Sequence, residues 1–338
     1  MTPQNFVKIL LGDSKLEARG KKVLKSGPKG NVLIFFADHG GPLHITFPKE
    51  ILSVSELVSV LERMHEKRKY AKLAFYVEAC ESGSMFDGLL PPSLPIYAAT
   101  SANTTESSYA CFWDKIRRTH LGSQFSVNWL LDSDVGKPFG QETLQEQFLR
   151  VSSVMWSHPQ QYGDLLITGK RLTQFFGSKE PEFKPNSHRK CDGPIPAWDI
   201  PIQTLRRKIE TASTSDKPML EKEFDQLVAA RKYLKQTVKM VVQDLCDLGH
   251  CVWIKELMTS RSKPITRHDC AEKLISTFHR HCFNLAQHPY ATRHLRAFIN
   301  IVEDLNESEL SLKCATLRFD LKLVCKKYAY SHSYESIF

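Results

Sequence analysis

The chain has 338 residues, 42% of them hydrophobic, with 46 basic and 37 acidic side chains and a formal charge of +9. This is an ordinary globular composition with length for roughly two domains. The positive charge is spread along the chain, which argues against a nucleic-acid arm, and no apolar run approaches the ~18 residues of a membrane span.

The opening "MTPQNFVKILLGDSK" lacks the basic region, apolar core and small-residue cleavage site of a secretory signal and reads as a cytosolic start. "NVLIFFA" (31–37) follows a Gly-Pro turn and predicts a buried strand. After Pro48, Leu57, Val60, Leu61 and Met64 recur at helical spacing, with Ser53 or Ser55 as N-cap. "KLAFYVEA" (72–79) and "LPIYAAT" (94–100) predict two further strands. Strand, helix and strand in alternation imply right-handed crossovers and a parallel sheet. Ligands of such sheets gather at the carboxyl ends of the strands.

Residues 177–201 break the pattern. They hold five prolines, several charges and little periodicity, and predict a linker or exposed arm. Beyond them the spacing is helical, first at Leu220, Phe224, Leu227 and Val228, then at Ala291, Leu295, Phe298 and Val302. Six of the nine cysteines (Cys246, Cys251, Cys270, Cys282, Cys314 and Cys325) fall in this part. No pair has CxxC spacing, so no metal site or cofactor is expected. Clustered, even-numbered cysteines favour disulfides and an oxidising compartment, against the cytosolic start. The sequons at Asn103 and Asn306 are glycosylation candidates in such a compartment.

Two strand ends carry reactive side chains. The first runs into Asp38-His39-Gly40-Gly41 and the second into Glu78-Ala79-Cys80-Glu81-Ser82-Gly83. If these strands are neighbours in a parallel sheet, His39 and Cys80 emerge at the same edge. A thiol there becomes a nucleophile only when a base or imidazolium attends it. Glycine after the histidine lets a backbone N–H approach a substrate carbonyl, and with the Cys80 N–H could form an oxyanion hole. A small buried core thiol and a solvated histidine are the competing reading.

"ADHGG", "FYVEACESGSMF", "SSYACFWD", "SVNWLLDSD" and the distal "HCFN" and "RHL" resemble, in order along the chain, the legumain family of asparaginyl endopeptidases in the caspase-like clan. The resemblance implies an α/β caspase-like protease domain (1–176), a linker and activation peptide (177–216), and an all-α, disulfide-tied prodomain (217–338) that caps the site until acid releases it. It implies a zymogen of a thiol endopeptidase that cleaves after Asn, or after Asp at acid pH. Cys80 matches the nucleophile and His39 the catalytic histidine, with Gly40 and Cys80 as oxyanion donors. Glu78, Ser107 and Ser123 match the lining of the pocket for the substrate asparagine. Cys111 reads as a buried core thiol. Cys270–Cys314 and Cys282–Cys325 are the bridges implied, with Cys246 and Cys251 paired or free. The implied partners are protein and peptide substrates, the chain's own prodomain and cystatin-type inhibitors, with no nucleic acid and no membrane span. The implied compartment is the lysosome or vacuole, or secretion.

Four departures bear on this. Family members carry further residues upstream, including opening strands of the sheet, so the chain is expected to be a truncated form of the fold. The family's Leu-Gly-Asp is Leu121-Gly122-Ser123 here, which weakens the expected asparagine preference. The stretch "RRKIETASTSDKPMLEKEF" has no asparagine for self-cleavage, leaving Asp216 as the acidic alternative. Leu11-Gly12-Asp13 stands where some relatives carry Arg-Gly-Asp. An inactive, peptide-binding homologue and a peptide ligase that shares the acyl-enzyme are the alternatives.

Overall fold

The computed structural model describes residues 1–135, 140–177, 191, 193–251, 257 and 263–328. The first half contains α1 (Pro3–Leu10), α2 (Ser14–Ala18), β1 (Asn31–Ala37), β2 (Gly40–Gly41), β3 (His44–Thr46), β4 (Ile51–Ser53) and α3 (Val54–Glu66). There follow β5 (Lys72–Glu78), β6 (Ile96–Thr100), β7 (Tyr109–Asp114), β8 (Thr119–Ser123), α4 (Gln124–Val135), α5 (Leu144–Ser153), β9 (Gln160–Gly163) and α6 (Thr173–Phe176). The main sheet has the order β1-β5-β6-β9. Its first three strands are parallel, and β9 closes the far side antiparallel.

Alternation along β5 explains why this strand is central. Leu73, Phe75 and Val77 share one core with Leu57, Leu61 and Met64 of α3. Ala74 and Tyr76 point to the other, with Phe125 and Trp129 of α4 and Leu144 and Val151 of α5. A strand buried on both faces reads as a continuous apolar run, which makes this one legible in the sequence. Ser53 is the N-cap of α3, in a capping box with Glu56. Ser55 instead donates its N–H to Glu272 in the C-terminal half, at 3.0 Å.

The C-terminal half contains β10 (Ile195–Pro196), α7 (Ile200–Glu210), α8 (Lys217–Asp247), α9 (His268–His281), α10 (Arg296–Glu303) and α11 (Leu310–Tyr328). Leu234, Val238, Val241 and Leu245 of α8 pack with Leu274 and Phe278 of α9 and Leu317 and Leu321 of α11, in a core continuous with that of the sheet. Disulfides join Cys270 to Cys314 and Cys282 to Cys325. The first cysteine of α9 thus meets the first of α11, and the later meets the later, so the two helices run in the same direction. Cys246 and Cys251 pair across the end of α8. Among the described residues no helix is long and apolar enough to cross a membrane.

Two expectations fail here. Most of residues 177–190 lie outside the described residues, but the segment from Pro194 onward is no exposed arm. Ile195 and Ala197 are buried, and β10 adds to the small sheet of β7 and β8. Pro196 is compatible with this because β10 is an edge strand, where a missing N–H costs no ladder bond. Cys111 is no free thiol: its side chain is bonded to Cys191, with their Cα atoms 5.5 Å apart.

Phe75 is fully buried at the centre of the sheet. Phe75→Ala is expected to cost about 3–5 kcal/mol, read as a lower urea midpoint.

Candidate active site

β1 and β5 pair in parallel with Ala37 opposite Glu78, so the residues beyond each strand leave the sheet at one edge. Beyond β1 the chain makes a short hairpin from β2 and β3. Thr46 secures it, donating its N–H and its hydroxyl to the His39 carbonyl at 3.0 and 2.9 Å. Leu43, at φ 58, turns the hairpin and donates its N–H to Ser84 Oγ at 2.9 Å. Ser84 in turn donates to the Glu81 carbonyl at 2.7 Å. The histidine hairpin and the cysteine loop are therefore held to one another by Ser84.

The "EACESG" run is built for a tight exit from the strand. Glu81 has φ 52, in the left-handed region, and donates its N–H to the Glu106 carbonyl at 2.8 Å. A Cβ on Gly83 would fall 2.6 Å from Tyr162 Oη and 2.9 Å from the Asn103 backbone. A Cβ on Gly40 would fall 2.9 Å from the Cys80 carbonyl oxygen. Glycine at position 40 thus lets the backbone beside His39 lie directly against Cys80.

Cys80 is the free cysteine among the described residues, and it is buried. Its Sγ lies 3.3 Å from Ser107 Oγ and 3.8 Å from Ser108 Oγ. Burial pushes the thiol up to about 11, and the two serines offset only part of this. His39 is half-buried; burial holds its imidazole below the ordinary range, partly opposed by Asp38. Both shifts favour the neutral thiol and neutral imidazole over a thiolate–imidazolium pair.

Glu78 is buried, and its Oε2 accepts from the N–H and hydroxyl of Ser126 at 3.2 and 3.3 Å. Burial raises its carboxyl, while the neighbouring Ser123, Ser101 and Ser108 hydroxyls and the Ser126 backbone N–H favour the charged form. Oε1 has no well-aligned donor among the described residues. Ser123 donates to Ser126 Oγ at 2.7 Å. Ser107, expected to line the same pocket, stands between the thiol and the segment after β10: Ala197 donates its N–H to Ser107 Oγ at 3.1 Å and to the Ser108 carbonyl at 2.9 Å.

That segment and the helical bundle cover the site. Arg231 of α8 holds Asp199 Oδ1 at 2.8 Å and the Trp198 carbonyl at 2.6 Å, and its guanidinium lies over the Tyr290 ring at 4.3 Å. Arg207 of α7 stacks over Trp113 of β7. A Cβ on Gly41 would lie 3.0 Å from Thr292 Cβ. A cavity of about 380 Å³ remains between His39, Trp198, Arg231, His288 and Tyr290. Of these residues, sequence pattern singles out His39 alone. Of the glycosylation candidates, Asn306 is exposed, and half-buried Asn103 accepts from Thr105 N–H at 2.9 Å. Among the described residues, no group of three or more His, Cys, Asp or Glu is disposed to hold a metal.

Residues 1–178 match the model of the peptidase C13 family, and residues 222–316 match the legumain prodomain. The chain is 38% identical over 312 residues to legumain of Bos taurus, covering 90% of this chain and 71% of that protein. It is 35% identical over 311 residues to the hemoglobinase of Schistosoma japonicum, covering 89% and 70%. It is 33% identical over 324 residues to the vacuolar-processing enzyme of Vicia sativa, covering 88% and 65%.

Glu81 allows a test of the closed site's electrostatics. Burial raises its acid from 4.5 to about 8, although Arg296 draws it down. The folded state therefore keeps a proton that the unfolded chain releases above about 4.5. Stability from this proton is full below that pH and is lost as pH rises through about 8. Glu81→Gln is expected to raise the thermal midpoint by a few degrees at pH 8 and to leave it unchanged at pH 4, measured by calorimetry.

Proposed function

The chain belongs to the peptidase C13 family of legumain-type cysteine endopeptidases, and we propose that it is a latent protease whose nucleophile is Cys80 and whose general acid is His39. The observation that carries this is the parallel pairing of β1 and β5, which delivers the histidine hairpin and the one unbridged cysteine among the described residues to one edge of the sheet. In the open form, the Cys80 thiolate attacks the scissile carbonyl, and the Gly40 and Cys80 N–H groups receive the oxyanion. The His39 imidazolium protonates the leaving amine, and water then hydrolyses the thioester.

The covered form is inactive for an electrostatic reason as well as a steric one. With the thiol near 11 and the imidazole depressed, neither partner carries the charge that attack requires. Removing residues 195–199 and the helical bundle readmits water, which lowers the thiol and raises the imidazole. We take residues 1–176 as the protease domain, 177–216 as the linker and activation segment, and 217–338 as the prodomain. Asp216 is exposed between α7 and α8, where a cut at an acidic residue would part the last two. Four disulfides suit an oxidising compartment, and a lysosome, vacuole or secretory route is the setting this reading requires.

Substrate choice rests on Glu78. Its Oε1 is a buried acceptor without a well-aligned donor among the described residues, suited to the NH₂ group of an asparagine side chain. Ser123 supplies a hydroxyl already given to Ser126, where the family pattern has a second carboxylate.

Protein acidified in the presence of dithiothreitol is expected to hydrolyse Asn- and Asp-containing peptides, and Cys80→Ala and His39→Ala to remove that turnover; turnover retained by Cys80→Ala would falsify the nucleophile assignment. Ser123→Asp is expected to raise the Asn preference over other side chains about 5- to 160-fold, the equivalent of ~1–3 kcal/mol for one buried acceptor. The ratio of kcat/KM values for paired peptides reads it directly.

A further inference from the structure

The Cys111–Cys191 bridge plays no part in the chemistry just described, yet it is fixed to the strand that flanks Cys80. Cys111 belongs to β7 and is 1% exposed, whereas Cys191 is half-exposed. Only three residues separate Cys191 from Ile195, the first residue of β10. β10 lies antiparallel to β7, with Ile195 opposite Ala110 and Pro196 opposite Tyr109. The next residue, Ala197, donates its N–H to Ser107 Oγ, and that oxygen is 3.3 Å from Cys80 Sγ. The covering strand and the disulfide are thus anchored to the same element.

The other anchor of this segment is of a different kind. Arg231 holds Asp199 and the Trp198 carbonyl through an ion pair and a hydrogen bond. That hold ends when α8 departs. The disulfide responds neither to that event nor to a cut anywhere beyond Ala197. After such a cut, residues 191–197 remain joined to β7, and a strand on so short a tether competes with substrate at an effective concentration of the millimolar order.

We propose that Cys111–Cys191 is a redox-cleavable tether that keeps Ile195–Ala197 over Cys80 after the prodomain's contacts are lost, so that activation needs a dithiol reductant as well as acid. This rests on the reading of Cys80 as the nucleophile. One thiolate of the dithiol attacks Cys191 Sγ, the accessible sulfur, forming a mixed disulfide and breaking the bond to Cys111, which leaves as thiolate and takes a proton. The second thiol then displaces Cys191 as a thiol. The dithiol is oxidised to its disulfide and both cysteines are reduced.

The test uses the full chain, purified oxidised and without reductant, as wild type, Cys191→Ser, and the Cys111→Ser/Cys191→Ser double variant. Each is brought to pH 5, and the labelling of Cys80 by a dipyridyl disulfide is followed by peptide mass mapping. Amide hydrogen exchange across Ile195–Ala197 is measured in parallel. Labelling at least about tenfold faster in both variants than in wild type, with exchange protection lost together, is the expected result. Equal rates in all three would overturn the tether. Should the variants fail to fold, wild type treated briefly with dithiothreitol replaces them, with mapping to select protein in which only the Cys111–Cys191 bridge has opened. Peptide hydrolysis separates the two readings: labelling that tracks the tether, in protein whose turnover survives Cys80→Ala, sinks the nucleophile assignment and leaves the tether standing.

Discussion

β1 and β5 run parallel with Ala37 opposite Glu78, and a parallel pair has no choice about where its carboxyl ends emerge. Each strand hands its chain to the same edge of the sheet, one delivering His39 and the other Cys80. The remaining features refine this placement. Ser84 joins the two loops, Gly40 lets them touch, and the left-handed Glu81 turns the chain away so that the thiol sits at the strand's end. Burial of β5 on both faces gives the platform its rigidity, because neither Phe75 nor Tyr76 can shift without disturbing a packed core.

The cover over the site uses the same physics as the sheet beneath it. β7 would otherwise present an open edge, and an open edge recruits a strand. β10 takes that position, and the bundle then secures Trp198 and Asp199 through Arg231. The cover is thus an addition of backbone hydrogen bonds rather than a filling of the space beside Glu78. This explains why the Oε1 of Glu78 is left without a well-aligned donor among the described residues while Ser107 and Ser108 are both occupied.

The parts legible in sequence are those with strong local patterning. The apolar runs at 31–37 and 72–79, the helical spacing of Leu57 to Met64, and the placement of His39 and Cys80 beyond neighbouring parallel strands correspond to structure directly. The parts that are not legible lack such a pattern. β10 is two residues long and half proline, so no periodicity marks it. β8 reads "THLGS", with one apolar residue and a glycine, too little for an alternating pattern to mark it. Arg231 is one basic residue among many on α8, and only the fold brings it to Asp199. Cys191 does carry a signal in the sequence. With one of nine cysteines kept as a nucleophile, eight remain, and an even remainder asks for a partner for Cys111.

The two bridges between α9 and α11 have a consequence for how the covered form comes apart. They join parallel helices at both ends, enclosing every residue from 283 to 313 within a covalent ring. A nick in that ring severs the backbone without dividing the bundle, since each side is still bonded through sulfur. A single stray cut inside the ring therefore leaves α9 and α11 as one body, still able to pack against α8.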